Sequence, residues 1–160
     1  MASRVFVSLR VKATPERAFD VFTREIGSWW RPNVLYQFTP SGTGTLSFEP
    51  GANGRLIEML PDGAVFEIGR VVVWEPPVRL AFSWRQASFR KDQLTYVEVR
   101  FEPVDEETRV VVEHTGWDTV PAQSVARHGF PDAVFLQRHA EWWQSLLRSM
   151  ANVAGQPDED

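Results

Sequence analysis

Between Thr45 and Thr115 the sequence strings together six β-type segments, and only one long amphipathic stretch follows them. The segments run from Thr45 to Glu49, Arg55 to Leu60, Ala64 to Glu75, Arg79 to Arg85, Leu94 to Val104 and Thr108 to Thr115. Pro61-Asp62-Gly63 supplies a fixed φ, a side chain that closes a turn and a residue for the left-handed position, which together specify a three-residue hairpin loop. Pro76-Pro77 ends one strand and forces a corner. From Asp132 to about Val153, Leu136, Ala140, Trp143, Leu147 and Met150 recur at helical spacing, with Phe135, Trp142 and Leu146 beside them. A sheet of this many strands must curve, and one helix about 30 Å long is the only element large enough to cover its apolar face. Space that the helix leaves unfilled becomes an interior cavity, the usual place for a small-molecule site.

The N-terminal third completes the layout. Val5, Val7, Leu9 and Val11 alternate with Arg4, Ser8, Arg10 and Lys12, which specifies a strand with one buried face, Phe6 alone interrupting its polar side. Thr14-Pro15-Glu16 provides an N-cap, a proline at the first helical position and an early acid, ahead of an apolar stripe of Ala18, Phe19 and Phe22. Ile26, Trp29 and Trp30 predict a second short helix stopped by Pro32, and Pro40, Gly42 and Gly44 mark a loop. The expectation is one α+β domain over residues 1–154, with a polar tail over 155–160. Its architecture is a curved antiparallel sheet of about seven strands, the first followed by two short helices, wrapped around a long C-terminal helix.

Composition narrows the function. Seventeen Lys and Arg against 21 Asp and Glu leave a net charge of −4, without the basic face that nucleic acid requires. No cysteine is present, which removes thiol chemistry and Cys-ligated metal centres and suits a reducing, cytoplasmic location. The first residues lack the continuous apolar run of a signal peptide, and no stretch reaches the roughly 18 apolar residues of a membrane span. Ser83, Ser88, Ser124 and Ser145 lack a glycine-flanked elbow, and Gly51-Ala52-Asn53-Gly54 reads as a turn and not a phosphate cradle. His128 and His139 have no carboxylates at ligand spacing, so neither a metal site nor a cofactor is expected.

Seven tryptophans, at positions 29, 30, 74, 84, 117, 142 and 143, are the strongest compositional signal for an apolar ligand. Strand parity in Ala64 to Glu75 puts Phe66, Ile68, Arg70, Val72 and Trp74 on the core face. The three-residue loop pairs Leu60 with Ala64, hence Glu58 with Phe66 and Leu56 with Ile68, and turns both Glu58 and Arg70 inward. Two readings of that pair stand: charges satisfied by each other or snorkelling at the rim, or polar anchors for a ligand's carboxylate, phenol or carbonyl. His114 shares parity with Val110 and Val112 and also faces inward, as a backbone-bonded core residue or as an acid–base group. Trp84 and Trp143 are expected to meet across the interior, with one of Trp142 and Trp143 exposed, and Trp30 to close one end as lid or staple. With Val97 and Val99, the candidate ligand-binding set is Trp30, Glu58, Phe66, Ile68, Arg70, Trp84, Val97, Val99, His114 and Trp143.

Several short stretches carry a family resemblance. Phe48-Glu49-Pro50, Gly54-Arg55, Asp62-Gly63, Gly69-Arg70-Val71 and Trp74-Glu75-Pro76-Pro77, followed by Leu80 and Trp84, resemble the centre of one branch of the START-like, or SRPBCC, superfamily. That branch is related to the C-terminal domain of activators of the heat-shock protein 90 ATPase. Val97-Glu98-Val99-Arg100-Phe101, Thr108-Arg109-Val110 and Glu113-His114-Thr115-Gly116-Trp117 resemble its last two strands. The resemblance, from Val5 to Met150, implies the helix-grip fold of the birch-pollen allergen. Relatives on this fold bind sterols, lipids, polyketides and other apolar molecules, and the expectation taken from the tryptophans and the inward residues together is binding of a small hydrophobic or aromatic molecule between sheet and helix. The alternatives are a cyclase or dehydratase in the same cavity, or an interaction protein that binds a chaperone or forms a homodimer through outward residues such as Tyr96 and Arg100.

Overall fold

Val5, Val7 and Val11 turn to one side of the first strand, β1 (Val5–Val11), and Phe6 to the other, where it is half exposed. The structure, a computed structural model, describes residues 5–30, 44–84, 95–116 and 132–155, with side chains of the last segment from position 137 onward. Helix α1 (Pro15–Thr23) starts where Thr14 caps it, its hydroxyl accepting from the Arg17 N–H at 3.2 Å. Helix α2 (Ile26–Trp29) follows, tied back by the Trp29 indole, which donates to the Val21 carbonyl at 2.8 Å. Phe19 and Phe22 pack onto Trp74, Phe101 and Trp29, fastening both short helices to the sheet.

The remaining strands are β2 (Thr45–Phe48), β3 (Arg55–Met59), β4 (Val65–Glu75), β5 (Arg79–Trp84), β6 (Thr95–Val104) and β7 (Glu107–Thr115). The long helix α3 (Asp132–Ala154) ends the fold; its 23 residues span about 34 Å. All strands lie in one antiparallel sheet ordered β1-β7-β6-β5-β4-β3-β2. This is the expected α+β helix-grip arrangement, with the C-terminal helix against a curved sheet. Glu49 and Arg55 close the β2–β3 turn, two guanidinium nitrogens meeting the two carboxylate oxygens at 3.0 and 2.8 Å. The expected hairpin loop is also present: the Leu60 N–H donates to the Ala64 carbonyl at 2.8 Å, and Glu58 pairs with Phe66.

Strand β4 departs from simple alternation twice. Leu56 pairs with Gly69 and Ile57 with Glu67, so Leu56 does not meet Ile68 as expected, and one extra β4 residue is accommodated there. A second irregularity sets Val71 opposite Phe82 and Val73 opposite Ala81. The first bulge reverses the parity after Ile68 and the second restores it before Trp74. Arg70 and Val72 therefore face outward, with the Val72 residue 61% exposed, while Val71 takes the buried position. Gly69 sits at the reversal because a β-carbon there would overlap the Ser83 carbonyl.

The expectations for Pro32, Pro40, Gly42, Trp117 and His128, for Ser88 and Ser124, for the side chains of Phe135 and Leu136, and for residues 156–160 lie outside the described residues. No helix among the described residues is long and apolar enough to cross a membrane.

Candidate functional site between sheet and helix

The helical repeat decides which α3 side chains reach the sheet. His139 and Trp143 are four residues apart and so share one face, continued by Leu146 and Met150; all four are buried. On β7, His114 lies between Val5 of β1 and Val97 of β6 and points to the same interior, fully buried. His114 Nδ1 lies 3.0 Å from His139 Nε2 and 3.2 Å from Trp143 Nε1, and His114 Nε2 lies 2.8 Å from Thr95 Oγ1.

These contacts fix the protons. An indole nitrogen only donates, so His114 Nδ1 is an acceptor and its Nε2 carries the hydrogen. His139 must then donate from Nε2, which leaves its Nδ1 as the acceptor nitrogen. The Thr95 hydroxyl accepts from His114 and donates to the Trp84 carbonyl at 2.6 Å. The result is a directed chain from α3 through β7 and β6 to β5, built from neutral groups. Burial pushes the His139 pKa down to about 3. It holds His114 well below the ordinary histidine range, and a charge on His139 would lower it further.

Aromatic rings enclose the pair. Trp84 meets His114 edge-on at 4.8 Å and His139 at 6.0 Å, and Trp142 lies 5.3 Å from His139. Trp30 stands nearly perpendicular to Trp142 at 5.4 Å and to Trp143 at 5.7 Å. Trp84 and Trp143 thus converge on His114, and neither member of the Trp142-Trp143 pair is exposed: Trp142 is buried because Trp30 covers it. Ile68, Val97 and Val99 are buried in the same core, and Phe66 packs against it partly buried.

Glu58 faces inward as its parity implies, buried between Leu46 and Phe66, its carboxylate folded over Gly44 so closely that a β-carbon there would overlap it. Arg70 does not join it. Its side chain is 63% exposed and pairs with Glu67 at 3.3 Å, because the bulge at Gly69 turned it out. The inward pairing of Glu58 with Arg70 is therefore corrected. His139 and Thr95 are the site residues that strand and motif reasoning passed over. His139 was legible from its spacing, three residues after Leu136 and four before Trp143; nothing in the sequence singles out Thr95. Among the described residues, no group of three or more His, Cys, Asp or Glu is placed to hold a metal ion.

On the outer face, Tyr96 is 46% exposed beside a depression of about 290 Å³ lined by Ala81, Tyr96, Val97, Glu98, Glu113 and Thr115. Arg100 belongs to an ion-pair ladder with Glu98, Glu102 and Glu113 at 2.9 to 3.8 Å, and so is held within its own sheet.

Comparison with known proteins adds a lineage to this geometry. The model of the family described as "Activator of Hsp90 ATPase homolog 1-like protein" matches residues 12–155. Among solved structures, protein MLL2253 of Mesorhizobium loti is 18% identical with a TM-score of 0.68, over 98% of this chain and 99% of that one. An HSP90 activator from Plasmodium falciparum is 16% identical with a TM-score of 0.64, over 98% and 99%. Txn09, described as an anthrahydroquino-γ-pyrone synthase, is 30% identical with a TM-score of 0.56, over 94% and 96%. The curated proteins contain no match.

Proposed function

The chain belongs to the activator of Hsp90 ATPase homolog 1-like family, and we propose that it binds a small hydrophobic or aromatic molecule in a cavity between the concave sheet and α3. The observation that carries this reading is the meeting of Trp84 and Trp143 on a buried, neutral histidine pair, with Trp30 packed edge-on against Trp143. Aromatic walls supply affinity through apolar burial, at about 25 cal/mol per Å², and a few fixed polar groups supply orientation. Phe66, Ile68, Val97 and Val99 complete the lining, with Glu58 and His114 as polar anchors. Arg70, turned to solvent, is omitted.

A second reading, a cyclase-type enzyme working in the same cavity, is favoured by the 30% identity to a protein described as a synthase. Two neutral imidazoles in contact also provide both an acceptor and a donor for proton movement. Turnover that disappears in His114→Asn while the fold survives would decide for it.

The binding reading is tested by melting the protein against a panel of apolar acids, sterols, phenols and polyketides. A ligand at a hundredfold excess over its Kd should raise Tm by about 5 °C or more, since it stabilises only the folded state. Trp84→Ala should abolish most of that rise. A panel that leaves Tm unchanged, or a rise indifferent to Trp84→Ala, contradicts the reading.

A further inference from the structure

The rings between sheet and helix already touch one another. Trp30 meets Trp142 and Trp143, Trp84 meets His114, and Trp142 meets His139, with centroids 4.8 to 5.7 Å apart, the contact range for packed aromatic rings. A ring-sized ligand packing among them must therefore displace one, and the backbone decides which. Trp84 ends β5, paired with Thr95, and Trp142 and Trp143 lie in the middle of α3. Trp30 follows the last residue of α2, extended at φ −68° and ψ 126°, so its ring can turn outward without breaking strand pairing or a turn of α3. It also retains some solvent contact, whereas Trp84 and Trp143 have none.

The neighbours of Trp30 supply a post and a latch. Trp29 is held by its indole bond to the Val21 carbonyl and by Phe22 at 5.0 Å. Gly27 seats α2 on β2 so closely that a β-carbon there would lie 3.2 Å from the Leu46 carbonyl oxygen. The Trp29 carbonyl, in the peptide group that joins Trp30 to α2, accepts from the Ser149 hydroxyl of α3 at 2.7 Å. Ser149 stands two turns after Trp142 along one side of the helix, so the hydrogen bond and the ring contact fasten Trp30 to the same side of α3. Rotation of the Trp29–Trp30 peptide group turns that carbonyl away from Ser149. We propose that Trp30 is a door: it swings about this peptide group to admit the ligand, and the Ser149 hydroxyl latches it shut in the free and the occupied protein alike. This rests on the binding reading and adds to it the route and the control of entry.

The test follows 2-naphthol by stopped-flow tryptophan fluorescence in the full-length protein and in Ser149→Ala, which leaves the aromatic rings in place. A latch closed in both states slows entry and exit equally, so its loss should raise kon and koff together by about fivefold, the equivalent of one hydrogen bond, with Kd unchanged to within about twofold. Ser149→Thr, which keeps a hydroxyl, should restore both rates. Unchanged rates in Ser149→Ala, or a faster koff with kon unmoved, overturn the door and leave the binding reading standing. No binding of 2-naphthol up to millimolar concentration contradicts the binding reading, and the door is then judged without a ligand, by NMR relaxation dispersion of the indole nitrogens. The expected result is millisecond exchange at Trp30, absent at Trp74, with a minor population about fivefold larger in Ser149→Ala. Dispersion that is flat at Trp30 in both proteins, or equal at Trp30 and Trp74, overturns the door.

Discussion

Between about pH 6.5 and pH 5 the folding constant is expected to fall by up to about a hundredfold per pH unit, a tenfold share from each of His114 and His139. Both histidines are fully buried, and burial depresses both pKa values in the folded protein. The unfolded chain therefore binds protons first. Stability is complete above the ordinary histidine range near 6.5, and it is lost as pH falls toward the folded values, about 3 for His139. Geometry gives the same sign, since a proton on His114 Nδ1 would meet the N–H of His139 and the N–H of Trp143 where each now finds an acceptor. The described groups in contact with the pair are Trp84 of β5, Thr95 of β6, and Trp142 and Trp143 of α3, none of which ionises in this range. Glu49, lowered by its hydrogen bonds to Arg55, titrates below its usual value of 4.5 and so lies outside this window. Urea titrations at closely spaced pH values provide the measurement, and His139→Leu should halve the logarithmic slope. Flat stability across this window, or a His114 imidazole titrating near 6.5 by NMR, contradicts the assignment of a neutral buried pair.

Trp143→Ala is expected to destabilise the fold by about 3–5 kcal/mol, the range for emptying a buried aromatic position. The indole is fully buried, packs edge-on against Trp30, and donates to His114 Nδ1. Trp143→Phe keeps most of the packing and loses the N–H, so its cost should be about 1–2 kcal/mol. The ratio of the two separates packing from hydrogen bonding. Chemical denaturation of both variants supplies the numbers; a cost below about 1 kcal/mol for the alanine would mean that α3 does not rely on this contact to hold the sheet.

The fold was largely legible because its signals are local. Pro61-Asp62-Gly63 and Pro76-Pro77 mark two of the strand ends, Thr14-Pro15 marks a helix start, and the apolar period of α3 is unbroken. The site was legible where parity is unbroken, as at His114 and Glu58. It failed at Arg70 because one extra residue opposite Leu56 and Ile57 exchanges the two faces, and a bulge has no period of its own to read. Gly69 was the available hint, since a glycine inside a strand commonly marks such a reversal. His139 was passed over for a different reason. Alone on a helix it is an ordinary core residue, and only the approach of β7 makes it half of a pair. The exposure expected of one of Trp142 and Trp143 does not occur because a 100° separation on a helix leaves the second ring exposed only if nothing covers it, and here Trp30 covers Trp142.

The most direct test of ligand binding between sheet and helix is an indole N–H map of the seven tryptophans by NMR during titration with 2-naphthol. The account predicts saturable shifts concentrated at Trp30, Trp84 and Trp143, accompanied by shifts of the His114 and His139 imidazoles, with Trp74 unmoved beneath α1. Shifts confined to the outer face around Tyr96, or a spectrum unchanged at saturating ligand, would contradict it.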